Sequence, residues 1–299
     1  MLHPEPGKIN DHLFLLGRLE SCVAWVTDGA ESALLGGSMG YVVPDLLRQV
    51  EAFGLDPRTL SRLVILHAHF DHCGVVPALK QRWPWIRISG SRRAQQLLVD
   101  PKVVGGIAAL NAAALGRAEM PDTFEGLDLG FTPVTVDEVL GDGDRVKVGS
   151  LDLEVLEVPG HSSCSIAAYL PALRALFPSD AGGIRFRDYH LSSGNANFDQ
   201  YQASLEKLAR LDVDLLVQEH YGALSGDDAR SFIPTSIAEA RRTRTLIEAI
   251  VRSTPDPDQA TEQVTDAFMQ GVPEYFLPRE VLCLVAGQMV RYFRRCLAA

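Results

Sequence analysis

Short apolar blocks recur along the first two thirds of the chain: LFLL (13–16), CVAWVTD (22–28), SALLGG (32–37), RLVILH (62–67), WIRISG (85–90), RVKVG (145–149), LDLEVLEV (151–158), SIAAYL (165–170), RALFPSD (174–180) and DLLVQEH (214–220). Apolar runs this short, bounded by turn residues, read as strands. Helical spacing appears between them. PDLLRQVEAFG opens with proline and closes at glycine, GVVPALKQRW follows a histidine-rich stretch, and NFDQYQASLEKLARL repeats its apolar positions at a helical period. Strands mixed with helices predict an α/β layered domain, and no internal repeat interrupts the pattern. After His220 only the helical pattern persists. TSIAEARRTRTLIEAIV carries a capping box at Ser236 and Glu239, DPDQATEQVTDAFMQG is a second helix, and PREVLCLVAGQMVRYFRRCL is a third. The expected division is therefore residues 1–225 and a helical C-terminal extension over 226–299. On the last helix Val281, Leu284, Val285, Met289 and Phe293 form an apolar stripe. That stripe must be buried against the rest of the chain, over a cleft, or on a second copy.

Composition changes this picture mainly by exclusion. The 299 residues are 46% hydrophobic and 22% charged, as in an ordinary globular protein. A net charge of −10 argues against a general nucleic-acid binder, which needs a basic surface for phosphates. Five widely spread cysteines, Cys22, Cys73, Cys164, Cys283 and Cys296, contain no CxxC pair and read as reduced thiols of a cytoplasmic protein. The beginning MLHPEPGKIND lacks the basic start and apolar stretch of a signal peptide. The apolar tract near the C-terminus is broken by Gln288 and three arginines, so it reads as a packed amphipathic helix and not a membrane span.

The chemistry concentrates in LHAHFDH (66–72), which places three of the chain's eight histidines and a carboxylate just past a strand. Strand alternation points His67 and His69 the same way, while Asp71 and His72 fall on the following turn. One loop can thus reach two metal ions; imidazole suits zinc or iron, and the carboxylate extends the choice to manganese. Further ligand-type residues each end a later strand: His161 after LDLEVLEVPG, Asp180 in RALFPSD and His220 in DLLVQEH. A lone histidine at any one of these places would mean little; the ordered set is specific.

The order H-x-H-x-D-H, then H, D and H, resembles the metallo-β-lactamase superfamily of hydrolases across roughly residues 10–222. The resemblance implies a four-layer αββα sandwich, here with the α-helical C-terminal extension, and two divalent ions (Zn, or Fe/Mn) at one edge of the paired sheets. It implies that His67, His69 and His161 hold one ion, that Asp71, His72 and His220 hold the other, and that Asp180 bridges them. A metal-bridging hydroxide would then attack an ester, thioester or lactone carbonyl, with Asp71 able to carry the proton. No Walker-type phosphate loop offers another route.

ALLGGSM, standing where many relatives have an aspartate-glycine end, together with HFDHCGVVPALKQRWP, VPGHSSCS, LFPSDAGG, YQASLEKLARL and YFLPREV, resembles the quinolone-signal response thioesterases of that superfamily. This favours a small-molecule thioester substrate, an acyl or aroylacetyl thioester. A lactonase, a glutathione-thioester hydrolase and a regulatory partner-binding protein with residual hydrolase activity are the alternatives. For glutathione, Arg291, Arg294 and Arg295 make a poor basic patch. Pocket candidates are Arg185 and Arg187 for an anionic group, and Tyr275, Phe276 and Met289 for the acyl group. Neither nucleic acid nor membrane is an expected partner; the helical tail leaves a homodimer or a protein partner open.

Overall fold

The computed structural model describes residues 1–120, 126–272 and 277–298. In chain order its strands are β1 (Leu2–His3), β2 (Gly7–Asn10), β3 (Leu13–Arg18), β4 (Ser21–Thr27), β5 (Ser32–Leu35), β6 (Leu60–Ile65), β7 (Arg87–Ser91), β8 (Glu138–Leu140), β9 (Arg145–Val148), β10 (Leu151–Glu157), β11 (Ile166–Leu170), β12 (Ala175–Phe177), β13 (Ile184–Phe186), β14 (Tyr189–Leu191), β15 (Leu215–Val217) and β16 (Ala223–Ser225). The helices are α1 (Val43–Ala52), α2 (Val76–Arg82), α3 (Arg92–Leu97), α4 (Pro101–Arg117), α5 (Phe198–Leu208), α6 (Asp227–Ser253), α7 (Pro257–Gly271) and α8 (Arg279–Ala298).

One sheet runs β2-β3-β4-β5-β6-β7-β8 and the other β1-β16-β15-β12-β11-β10-β9, while β13 and β14 form a separate hairpin. Period-two alternation sorts side chains between layers. In β3 and β4, Leu13, Leu15, Cys22, Ala24 and Val26 face the second sheet, where they meet Val155, Ile166, Ala168 and Phe177. Their neighbours Leu16, Val23 and Trp25 face outward onto Leu46, Val50 and Leu79 of α1 and α2. On the far side Ala167 and Leu176 pack under Leu208, Phe232 and Ile233 of α5 and α6. Helix, sheet, sheet and helix are thus stacked as four layers.

The first tail helix differs from the sequence expectation. Ser236 caps nothing: α6 already begins at Asp227, and Ser236 is buried inside it. Asp227 and Asp228 favour that start by facing the positive end of the helix dipole. Pro234 removes one backbone hydrogen bond, yet buried Ala229, Phe232 and Ile233 anchor the helix on both sides of it. The tail then closes a third core with the hairpin and α5: Ile247, Phe268, Met289 and Phe293 pack with Ile184, Leu191, Phe198 and Tyr201. Among the described residues no helix is long and apolar enough to cross a membrane.

Candidate metal centre

Each ligand-type residue named from the sequence lies just beyond a strand and at the same edge of the paired sheets. His67 follows β6, and Phe70–His72 form a single 3-10 turn that swings Asp71 and His72 back over it. His161 follows β10 through a turn in which Gly160 has φ +130. A Cβ at Gly160 would lie 2.1 Å from the Tyr201 backbone nitrogen, so only glycine lets this turn approach α5. Asp180 follows β12, behind Ser179, whose left-handed φ of 50 is a local strain of the kind that clusters at functional sites. His220 follows β15.

The seven side chains converge. Nδ1 of His69 lies 3.1 Å from His67 Nε2 and 3.0 Å from His161 Nε2, while His72 and His220 meet through their Nε2 atoms at 3.0 Å. Oδ2 of Asp180 lies 3.2 Å from His72 and 3.4 Å from His161, and its Oδ1 lies 3.6 Å from His220. Oδ2 of Asp71 lies 3.5 Å from His72. The potential ligand atoms of His67, His69 and His161 lie within 4.8 Å of one another, and so do those of Asp71, His72 and His220.

This donor set fits metal ions. Ligands at about 2.0–2.1 Å around a tetrahedral zinc stand roughly 3.3 Å apart, close to the nitrogen spacings here. The outer nitrogens of His67, His161 and His220 are already hydrogen-bonded, and that of His72 faces a carboxylate. Nδ1 of His161 donates to the Ser193 carbonyl at 2.8 Å and Nδ1 of His220 to the Glu20 carbonyl at 2.6 Å. Nδ1 of His67 lies 2.9 Å from Ser179 Oγ and Nδ1 of His72 lies 3.0 Å from Glu219 Oε2. A histidine that donates from its outer nitrogen presents a bare lone pair from the inner one.

Electrostatics agree with that assignment for His67, His69 and His161 and oppose it for His72 while no ion is bound. Burial pushes the His69 imidazole down to about 3, with nearby His161 adding to the effect, and pushes His67 well below its ordinary value. Burial lowers His161 as well. For His72 burial acts in the same direction but is overcome by Asp180, Glu219 and Asp71, which raise it well above its ordinary value. Burial would raise Asp71, but His72 and His220 hold it at about 2. Of the four shifted histidines of the centre, three therefore favour the neutral form on folding and one the charged form, and His190 outside it is lowered as well. A depressed folded value gives stability that is present above the unfolded value of 6.5 and lost as pH falls toward the folded one. His72 opposes with the reverse sign but is outnumbered, and Asp71 and Asp180 add losses below 3.8. Metal-stripped protein should accordingly show a lower urea midpoint at pH 5 than at pH 7; an equal or higher midpoint at pH 5 would refute this charge assignment.

The centre opens into a cavity of about 540 Å³ whose floor is His69, Asp71, His161 and Asp180. Its walls are Val103, Ile107 and Leu110 of α4, Ile184 and Leu191 of the hairpin, and Val281, Leu284 and Val285 of α8. The stripe read on α8 divides accordingly. Val281, Leu284 and Val285 border the cavity, with Leu284 58% exposed at the rim, whereas Met289 and Phe293 turn into the core. Met289 is therefore not an acyl-pocket residue, because the helix is apolar on two adjoining faces and it belongs to the core one. Arg185 is also displaced from the role expected of it: it borders a separate shallow groove with Asp188, His190 and Asp228. Arg187 borders a second cavity of about 560 Å³, with Arg18, Arg117 and Tyr41, which shares Phe70 and Leu277 with the first. Tyr275 and Phe276 lie outside the described residues. Glu219 escaped the sequence reading, although it is 5% exposed and sits beside His72.

The sequence profile of the metallo-beta-lactamase superfamily matches residues 21–220. The chain belongs to that superfamily. Solved structures share its fold: a metallo-beta-lactamase mutant from Cronobacter sakazakii superposes with a TM-score of 0.62 at 17% identity, covering 84% of this chain and 99% of the other. The metallo-beta-lactamase MIM-1 from Novosphingobium pentaromativorans gives 0.59 at 23%, covering 83% and 92%. Among curated superfamily proteins, a hydroxyacylglutathione hydrolase of Ruegeria pomeroyi is 28% identical over 194 residues, 62% of this chain and 61% of its own length. Another, from Parasynechococcus marenigrum, is 29% identical over 160 residues, 53% and 48%. The chain spans less than two thirds of the length of these relatives. Both of these relatives carry the name hydroxyacylglutathione hydrolase and not that of the quinolone-signal response protein.

Proposed function

We propose that this superfamily member is a metal-dependent thioesterase that holds an apolar acyl group beside its metal centre, with a glutathione thioester as the first substrate class to test. The observation that carries the reading is the cavity itself: buried metal-ligand side chains form one end and aliphatic side chains form the walls. The names of the curated relatives supply the thioester and the glutathione carrier.

His67, His69 and His161 would hold one ion, Asp71, His72 and His220 the other, and Asp180 both. Divalent ions held there supply Lewis acidity toward a carbonyl and a water of lowered pKa. The chain's own part is positional. Tethered Nδ1 atoms keep the imidazoles oriented, and Val103, Ile107, Leu110, Val281 and Val285 exclude water around the acyl group. Asp71, its side chain 8% exposed on the cavity floor, is placed to take a proton during attack. The neighbouring cavity is lined by Arg18, which pairs with Asp45, by Glu20, and by Arg117 and Arg187; Arg117 is the cation it would offer to a carboxylate of the thiol carrier.

Thiol release should be followed with glutathione thioesters, coenzyme A thioesters and homoserine lactones of matched acyl groups. Thioesters are expected to be turned over faster than lactones, and aromatic or branched acyl groups faster than acetyl. Arg117→Ala should raise KM for the glutathione thioester roughly tenfold, the worth of one charge-assisted hydrogen bond, with kcat little changed. A preference for lactones would refute the thioesterase reading, and an unchanged KM would remove the second cavity from it.

A further inference from the structure

We infer that Glu219 is a positioning residue that holds one histidine of each metal set in place at once, and that Gly36 exists as glycine to make room for it. The inference rests on reading the cluster as a metal centre.

Glu219 is a buried carboxylate between β15 and the metal cluster. Its Oε2 accepts a hydrogen bond from the Ser179 hydroxyl and lies 3.0 Å from His72 Nδ1. Because the Ser179 proton is committed to the carboxylate, Ser179 Oγ can only accept from His67 Nδ1, 2.9 Å away. The chain through Ser179 therefore runs one way and leaves a proton on His67 Nδ1 and a bare Nε2; His72 Nδ1 faces the same carboxylate at 3.0 Å without meeting hydrogen-bond geometry. His67 groups with His69 and His161, and His72 with Asp71 and His220, yet His67, His72 and Glu219 also stand within 4.8 Å of one another, so one acid faces a histidine of each set.

The space for the carboxylate comes from β5. Gly36, just beyond that strand, has φ +90, and a Cβ built on it would stand 2.5 Å from Glu219 Oε1 and 3.0 Å from its carboxyl carbon. Any side chain at 36 would have to displace Glu219. The two positions are thus a matched pair, although they lie on different sheets and 183 residues apart in sequence.

The test is a chelator competition on metal-loaded protein, reading metal retained per chain, with cobalt(II) absorption spectra as a second signal. Glu219→Gln keeps the volume but offers an amide that can donate to Ser179 and reverse the chain. It should still bind two ions while weakening both by roughly 10–100-fold, the usual effect of losing a partner behind a metal ligand, and it should shift the cobalt bands. Ser179→Ala should weaken the His67 set alone. Gly36→Ala should weaken metal binding in the wild-type background but add little in a Glu219→Ala background, which separates the steric conflict from backbone strain at that φ. Wild-type affinity in Glu219→Gln would overturn the inference. So would loss of one whole ion, since Glu219 would then be a ligand. Wild-type protein that binds no metal would instead sink the metal-centre reading beneath it.

Discussion

Asp180→Asn is expected to cost at least a hundredfold in thiol-release rate and to lower metal content below two ions per chain. Asp180 reaches both histidine groups: one oxygen faces His72 and His161, the other His220. Burial would raise its pKa, yet His72 and His220 hold it well below the carboxylate range, so it is anionic throughout the neutral region. Asparagine keeps the shape but removes that charge from a site where two cations would stand close together, and it loses one acceptor oxygen. The same change should leave the fold intact, because the site lies at strand ends and the sheets are held by cores that Asp180 does not enter. Elemental analysis beside steady-state rates decides the matter. Full metal content with full activity would show that Asp180 is not shared between ions.

The second large effect falls on the tail. Phe293→Ala should destabilise the protein by about 3–5 kcal/mol, the range for truncating a buried aromatic. Phe293 is 1% exposed, its ring stands 5.1 Å from Phe198 of α5, and Arg244 of α6 lies over its face at 5.4 Å. That loss is a large fraction of a typical domain's 5–15 kcal/mol. Ending the chain at Gly226 is harsher still, since it strips cover from Phe198, Tyr201, Leu205 and the hairpin. The truncated protein should fail to give a cooperative urea transition, whereas Phe293→Ala should keep one with a lower midpoint and an unchanged slope. A soluble, cooperatively melting truncation would mean that the tail is a detachable cover.

Much of this was legible in the sequence because it depended on local pattern. The central strands announce themselves by short apolar blocks, and every ligand-type residue ends one of them, so His67 through His220 could be named in order. What was not legible depends on tertiary proximity. The hairpin of β13 and β14 is hidden in IRFRDYHL, too short and too mixed to show a period. Helix α8 carries apolar residues on two faces because the cavity wall is itself apolar, and a stripe search merged the faces and misplaced Met289. Arg185 lies only five residues beyond Asp180, but the chain turns into β13 and carries it toward a different groove. Glu219 had one usable signal, an acid directly before a ligand histidine in QEH. Its significance appears only when the empty place at Gly36 is seen beside it.

The central claim is that the buried histidine and aspartate cluster is a two-ion centre that hydrolyses thioesters. The most direct measurement is thiol release from an aromatic-acyl glutathione thioester while metal-stripped protein is titrated with zinc, with parallel manganese and iron(II) titrations. The account predicts negligible release without metal and activity that climbs until two equivalents are bound, then levels. Release that is unaffected by stripping the metal, or none at two bound equivalents of any of these ions, would contradict it.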